Sequence, residues 1–344
     1  MLSSLVVRNG LAVVNLYFHT GPIVRIAPNR YSLQDSDAVR TIYSAGSDFE
    51  KSDYYLPFGP SAVHAKDIFS EMSKSEHARK RKACSQMYAM STLISYEPFV
   101  NKVNATFAAK LADFAKRKEP FDLFTWMQFY AFDVIGEITI GRSFGLIEAG
   151  YDKDGLLDAV DFGNVRYGAT IGLLPEIHAW YLWLIKLTSI ANHFAVTQRV
   201  ILREIGMRMQ GELLPDRRDF LGKCIELQEQ GKMDHSQTNN VIGSNIGAGS
   251  DTTGISLSAV IYFLLRNPRC MREVRREIDE AFQGRDLTDV VTFQEGQKLV
   301  YLQAVIKEAL RCHAAVGSIL SRVVPAGGAH VAGQSFPGGV CSAI

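Results

Sequence analysis

Between Ser236 and Leu265 the chain carries one charged residue, Asp251. No other stretch restricts the fold as strongly. Ile255 to Leu265 is apolar on nearly every side of a helix, and a helix apolar all round is buried all round. Asn267-Pro268 ends it and opens the next helix. A buried helix of this length needs a large core. The 344 residues, 47% hydrophobic and 21% charged, can supply one.

Helical periodicity is expected near 75–86, 96–117, 124–141, 155–172, 188–212, 216–230, 236–266, 268–282 and 299–312. The two ends differ. Ile23 to Leu33 reads as a strand pair turning at Pro28-Asn29, and Asp35 or Ser36 caps a short helix through Tyr43. Residues 45–66 read as loop. Ser318 to Val324 is strand-like, Pro325 to Gly328 is a turn, and a short strand follows around His330–Ala332, with no visible partner downstream. The expected architecture is mainly α, with a small β-sheet built from N- and C-terminal strands and no dividing linker.

Bulk properties exclude several classes. A formal net charge of +1 leaves no electrostatic footprint for nucleic acid. Cys84, Cys224, Cys270, Cys312 and Cys341 are scattered, with no Cys-x-x-Cys pair, so neither a disulfide framework nor a zinc knuckle is indicated and a reducing compartment fits. The apolar residues at the amino terminus are interrupted by Arg8, Asn9 and Asn15 and fall short of the roughly 20 needed to span a bilayer. No other stretch reads as a membrane span.

Asp251 lies in Asn245-Ile-Gly-Ala-Gly-Ser-Asp-Thr-Thr-Gly254. An unpaired carboxylate in buried surroundings needs a partner, a water-filled niche or a raised pKa. Gly247, Gly249 and Gly254 weaken the helix and allow another body to approach its backbone. Thr252 and Thr253 can bond back to carbonyls one turn earlier. Together these describe a locally opened helix with an acid and a hydroxyl beside a gap, which suits a proton relay. A glycine loop followed by a new helix, capped by Ser250 or Asp251, explains the same residues. A nucleotide-binding turn, and with it an NAD-dependent enzyme, does not fit, because the spacing is not G-x-G-x-x-G and no Gly-Lys-Ser/Thr follows.

Three further pieces accompany it. Glu308 and Arg311 share a helix face, flank the stripe Leu302, Val305, Ile306, Ala309, and can pair; a surface ion pair is the plainer reading. Arg322 stands among apolar neighbours on a strand, either to reach an anion or as an edge charge. His77 and Arg81 are one turn apart in Glu76-His-Ala-Arg-Lys-Arg-Lys82, which also reads as a solvated basic face or a nuclear-localisation patch.

In this order the four pieces resemble the cytochrome P-450 (haem-thiolate monooxygenase) family. Ala248-Gly-Ser-Asp-Thr-Thr253 looks like its oxygen-activating motif, and Glu308-Ala-Leu-Arg311 like its Glu-x-x-Arg helix. Gly21-Pro-Ile-Val-Arg-Ile-Ala-Pro-Asn29 and Phe132-Asp-Val-Ile-Gly-Glu-Ile138 are similar to filamentous-fungal members of the pisatin-demethylase-like kind. The resemblance implies haem b lying against Ala248 and Gly249, with its propionates met by Arg322, His77 and Arg81. Thr252 would hydrogen-bond the oxygen under activation, Asp251 would feed it protons, and Glu308–Arg311 would be a structural ion pair. It also implies insertion of one oxygen atom from O2 into a small apolar organic substrate. Electrons would come from an NADPH-dependent P-450 reductase, usually at the cytosolic face of the endoplasmic reticulum; without a clear anchor the chain itself reads as cytosolic or unplaced.

The family's thiolate loop, Phe-x-x-Gly-x-Arg-x-Cys-x-Gly, has no counterpart, and Cys341 in Gly338-Gly-Val-Cys-Ser-Ala-Ile344 reads as incidental. The chain is therefore expected to be a single truncated domain over 1–344, with 1–20 a reduced remnant, no C-terminal haem-ligand region and no metal ligand. It is expected to be inactive by itself, or else a degenerate haem-binding or scaffold protein. Glu308 and Arg311 are expected to be half-buried, and Cys312 to be a packing residue.

Overall fold

A computed structural model describes residues 21–58, 66–161, 163, 168, 170–173, 175–187, 191–211, 218–317 and 319–343. The remnant expected over 1–20 lies outside them.

In chain order the principal elements are β1 (Ile23–Ala27), β2 (Arg30–Leu33), α1 (Ser36–Tyr43), β3 (Glu50–Lys51), α2 (Lys74–Cys84), α3 (Glu97–Arg117) and α4 (Leu123–Ile140). There follow α5 (Leu156–Asp161), α6 (His178–Leu187), α7 (Ala191–Met209), α8 (Phe220–Glu229), α9 (His235–Arg266), α10 (Pro268–Gln283) and α11 (Val300–Cys312). The chain ends in β4 (Arg322–Val323), β5 (Ala329–Val331), β6 (Gln334–Phe336) and β7 (Cys341–Ala343). Tertiary contacts divide it into two compact units, residues 1–81, 162–191 and 317–344 forming the first and 82–161 with 192–316 the second.

The first unit holds a five-stranded sheet in the order β1-β2-β7-β4-β3 and a β5-β6 hairpin. The partner that the last strands lacked downstream is upstream. β7 runs parallel to β2, with Arg30 beside Cys341, and antiparallel to β4, with Arg322 beside Ser342. Asp35 caps α1, its Oδ1 accepting the N–H groups of Asp37 and Ala38 at 2.7 and 3.0 Å. That cap turns Ala38 and Ile42 into a cluster with Leu33, Phe49, Val324, Val331 and Phe336, all 8% exposed or less. Residues 53–58, expected as loop, form a 3-10 turn that buries Tyr54 and Tyr55. Of the expected Ser318–Val324 strand, Arg322–Val323 is the part that pairs among the described residues.

In the second unit α9 packs along α4. Asp234 and Gln237 close a reciprocal capping box at the start of α9, with bonds of 2.7 and 2.9 Å. By length and composition alone α9 could cross a membrane, which its sequence pattern did not suggest. Val241, Ile242, Ile246, Ala259 and Leu264 are buried in the unit, but Tyr262 and Leu265 are exposed and most of the apolar stretch is only partly covered. This corrects the helix expected to be buried all round: one face meets α4 and the rest does not. The Phe132–Ile138 segment shows why α4 needs its residues. Phe132 joins the core with Val103, Phe107, Trp126, Phe129 and Leu146. Asp133 accepts the N–H groups of Leu146 and Ile147 at 3.2 and 2.9 Å. A Cβ on Gly136 would lie 2.7 Å from the Arg142 carbonyl oxygen. Glu137, 1% exposed, meets Lys102 at 2.8 Å. A buried pair closes the start of α8, where Asp219 accepts from Gly222 N and from Arg208 Nη2 at 2.8 and 2.6 Å.

Boundaries move by a few residues elsewhere. The helix expected over 216–230 begins at Phe220, after its Asp219 cap. Of the one expected over 155–172, α5 and a turn at Thr170–Leu173 lie among the described residues.

Candidate functional site

Within the first unit the pairing of β3 with β4 sets Lys51 directly opposite Arg322. Like charges so placed cost stability, which asks what keeps them there. The Arg322 guanidinium stands over the rings of Tyr43 and Tyr55, 5.0 and 5.1 Å from their centres. Its Nη1 donates to the Tyr55 hydroxyl and to the carbonyls of Leu320 and Ser321, the latter two at 3.0 and 3.3 Å. Among the described residues it has no carboxylate partner. Lys51 Nζ donates to the carbonyls of Ile68 and Phe69 at 2.9 and 2.7 Å.

His77 and Arg81, on α2, join the same group. His77 is half-buried and Arg81 exposed. Burial first, then the charge of Arg322, pushes the Lys51 ammonium down to about 8. Burial first, then Lys51 and Arg81, makes His77 harder to protonate than a free imidazole. The neighbouring acids are already engaged: Glu71 with Lys80 at 2.7 Å, Asp67 with the Ser70 N–H at 2.6 Å. Lys51 and His77, each made harder to protonate by burial and by neighbouring cations, would be relieved by an anion placed beside Arg322. Two carboxylates on a flat apolar body are what porphyrin propionates offer, so these residues fit the group that the sequence implies.

Within the second unit the expected opening of the long helix is corrected. α9 runs unbroken through residues 245–254, so neither a glycine loop nor a cap at Ser250 or Asp251 is present. Its hydroxyls turn back on carbonyls one turn earlier: Ser250 to Ile246 at 2.6 Å, Thr252 to Ala248 at 2.7 Å, Ser256 to Thr252 and Ser258 to Gly254 at 2.8 Å. These bonds satisfy the hydroxyls inside the helix, at a slight cost to it that does not break it here. The three glycines serve different ends. A Cβ on Gly249 would lie 2.8 Å from Ile135 Cδ1, one on Gly254 2.7 Å from Gln128 Oε1, and one on Gly247 would meet nothing within 4 Å. Two of them therefore admit α4, and one leaves the surface open.

Asp251 is half-buried, and its Oδ1 accepts from Gln128 Nε2 at 3.1 Å. Burial first, then the charge of Asp161, raises its carboxyl above the ordinary aspartate range, and the Gln128 bond works against them. An acid so placed exchanges its proton nearer neutrality than a free one. Ala248 is exposed, with its carbonyl taken by Thr252.

Glu308 and Arg311 do pair, through two bonds of 2.7 Å. Their side chains are 61% and 70% exposed, however, which corrects the half-buried site expected for them. Helix geometry brings them together; the stripe beside them turns inward without covering them. Cys312 is exposed too, not packed, with Sγ 3.8 Å from Glu308 Oε1. Cys341 lies in β7, its thiol pushed up by burial.

Two residues of these sites escaped the sequence reading. Lys51 was hidden in a two-residue strand, and only its register against Arg322 reveals it. Gln128 stands in an apolar helix, where its polarity was the available signal.

A family model, "Cytochrome P450", matches residues 8–341. A pisatin demethylase of Fusarium vanettenii is 39% identical over 335 residues, covering 95% of this chain and 65% of the relative; a second from that fungus is 38% identical, covering 95% and 64%. A cytochrome P450 monooxygenase of Aspergillus terreus is 33% identical over 341 residues, 93% of this chain and 67% of the relative. The chain thus spans a little under two thirds of the length of the two demethylases. The order of the motifs, the helical fold with its small sheet and a family match along nearly the whole sequence agree, and the chain belongs to the cytochrome P450 family.

Proposed function

We propose that the chain is the haem-holding and proton-handling part of a monooxygenase that inserts one oxygen atom from O2 into a small apolar organic compound. Haem b, when bound, supplies the activation of dioxygen. In the first unit Arg322, His77 and Arg81, joined by Lys51, hold the two carboxylates of the porphyrin. Arg322 carries most of the grip, since its guanidinium is fixed over two tyrosine rings and offers a planar fork of donors to a carboxylate. In the second unit Asp251 takes and gives the protons the reaction consumes. The Thr252 hydroxyl, parked on the Ala248 carbonyl, can rotate to donate a hydrogen bond outward. Ala248 and the open side of Gly247 offer a surface without side-chain bulk.

The family in fungi is generally membrane-associated and draws electrons from a reductase. An NADPH-dependent partner at the cytosolic face of the endoplasmic reticulum is the setting we infer. Two of the relatives bear the name pisatin demethylase, so a methyl-bearing apolar compound is the substrate class to try first.

The observation carrying this reading is the Arg322 guanidinium, held over two tyrosine rings and, among the described residues, without a carboxylate partner. Haem titrated into the full chain tests it. Arg322→Ala is expected to weaken binding about tenfold or more, one charge-assisted contact being worth about 1.5–3 kcal/mol. Equal affinity in the folded variant overturns the assignment, and no haem binding by the unaltered chain favours the scaffold alternative.

A further inference from the structure

Gln128 lies opposite Asp251 on α4. It is 5% exposed. Its Nε2 serves Asp251, while its Oε1 is buried and, among the described residues, has no hydrogen-bond partner. Keeping a buried acceptor unpaired is costly and asks for a reason. Gly254, three residues beyond Asp251, makes the room: a Cβ there would stand 2.7 Å from Oε1 and 3.1 Å from Gln128 Cα.

We propose that Gln128 is a positioning residue for Asp251, holding the ionised carboxylate through Nε2 and turning its amide over to accept the carboxyl proton on Oε1 once the acid is neutral. A primary amide presents a donor and an acceptor on one nearly symmetric head. One side chain can therefore satisfy both states of the acid without any other group moving. The remaining charges leave this role to it. Burial first, then the charge of Asp161 at the end of α5, favours the neutral acid. On α4 Asp133 is committed to the Leu146 and Ile147 N–H groups and Glu137 to Lys102. On α11 Glu308 and Arg311 close on each other. The Gln128 N–H is what offsets the drive toward the neutral form and keeps the proton exchangeable. The inference deepens the proton route proposed above and rests on it for catalytic meaning, but the contact exists without any porphyrin.

The test is the titration of Asp251 in the full chain without haem. Infrared difference spectra follow the carboxyl band, and Asp251→Asn identifies it. In Gln128→Leu the midpoint is expected to rise by about one pH unit, from loss of a hydrogen bond to the charged form. The band of the neutral acid should also shift to higher frequency as its acceptor disappears. Gln128→Glu, which keeps the shape and adds a like charge, should raise the midpoint further. Gly254→Ala, which drives the amide from its place, should raise it as Gln128→Leu does. An unchanged midpoint and band in a folded Gln128→Leu protein overturns the proposal. Should that variant not fold, an unchanged midpoint in Gln128→Glu overturns it equally. Haem affinity is read separately through Arg322, so failure of either idea is seen by itself.

Discussion

The conflict between Lys51 and Arg322 shows what a single residue costs. Lys51 holds its proton less tightly in the folded chain, at about 8, than its ordinary value of 10.5, burial being the first cause and Arg322 the second. Above 10.5 it is neutral folded or unfolded, and no penalty falls on the fold. As the pH drops toward 8 the unfolded chain takes up the proton first, and stability is lost; below 8 the penalty is complete. Denaturant melts between pH 7 and 10 should therefore show the natural chain gaining on Lys51→Met as the pH rises. At pH 7 Lys51→Met should be the more stable by about 0.5–1 kcal/mol, the scale of a like-charged pair across strands. The same variant should bind haem more weakly, and a gain in both properties would contradict the role given to Lys51. Legibility at this scale followed contrast. Asp251 stood out because nothing near it in sequence is charged, and Arg322 because its neighbours are apolar. Lys51 did not, because a two-residue strand has no period and its partner lies far along the chain.

For the long helix, periodicity located α9 to within a residue at its start, and Asn267-Pro268 located its end. Continuity was misjudged for a physical reason. Glycines and hydroxyls were counted as weakening the backbone, but the hydroxyls of Ser250, Thr252, Ser256 and Ser258 bond carbonyls of the same helix, and two of the glycines are there for α4. The individual glycines can be told apart by alanine. Gly247→Ala adds a methyl to open space and should stabilise the chain by about 0.5–1 kcal/mol through helix propensity. Gly254→Ala meets the Gln128 backbone as well as its amide and should destabilise by about 1–3 kcal/mol. Thermal melts that move the same way for both would refute the division of labour. On α4, Phe132→Ala should cost about 3–5 kcal/mol, since the ring is 1% exposed in the main cluster.

Over the whole molecule the helical class and the origin of the sheet in both chain ends were readable, because apolar periods and turn residues are local signals. The strand order was not, since β7 finds β2 and β4 only through the fold. The second unit is built mainly from helix pairs, the first from a sheet whose neighbours are distant in sequence. Such pairing is slow, so pulse-labelled hydrogen exchange during refolding should protect α4 and α9 before β2 and β7. Removing residues 337–344 should expose the β2 and β4 amides while those of α4 and α9 stay protected.

Because β7 lies between β2 and β4, the β1-β2 hairpin cannot be completed in the sheet when it leaves the ribosome. Synthesis from Leu33 to Cys341 takes on the order of tens of seconds at about 5–20 residues per second. Throughout that interval β2 offers a bare edge to any other nascent strand. A cell making this protein must therefore shield β2 until β7 has emerged.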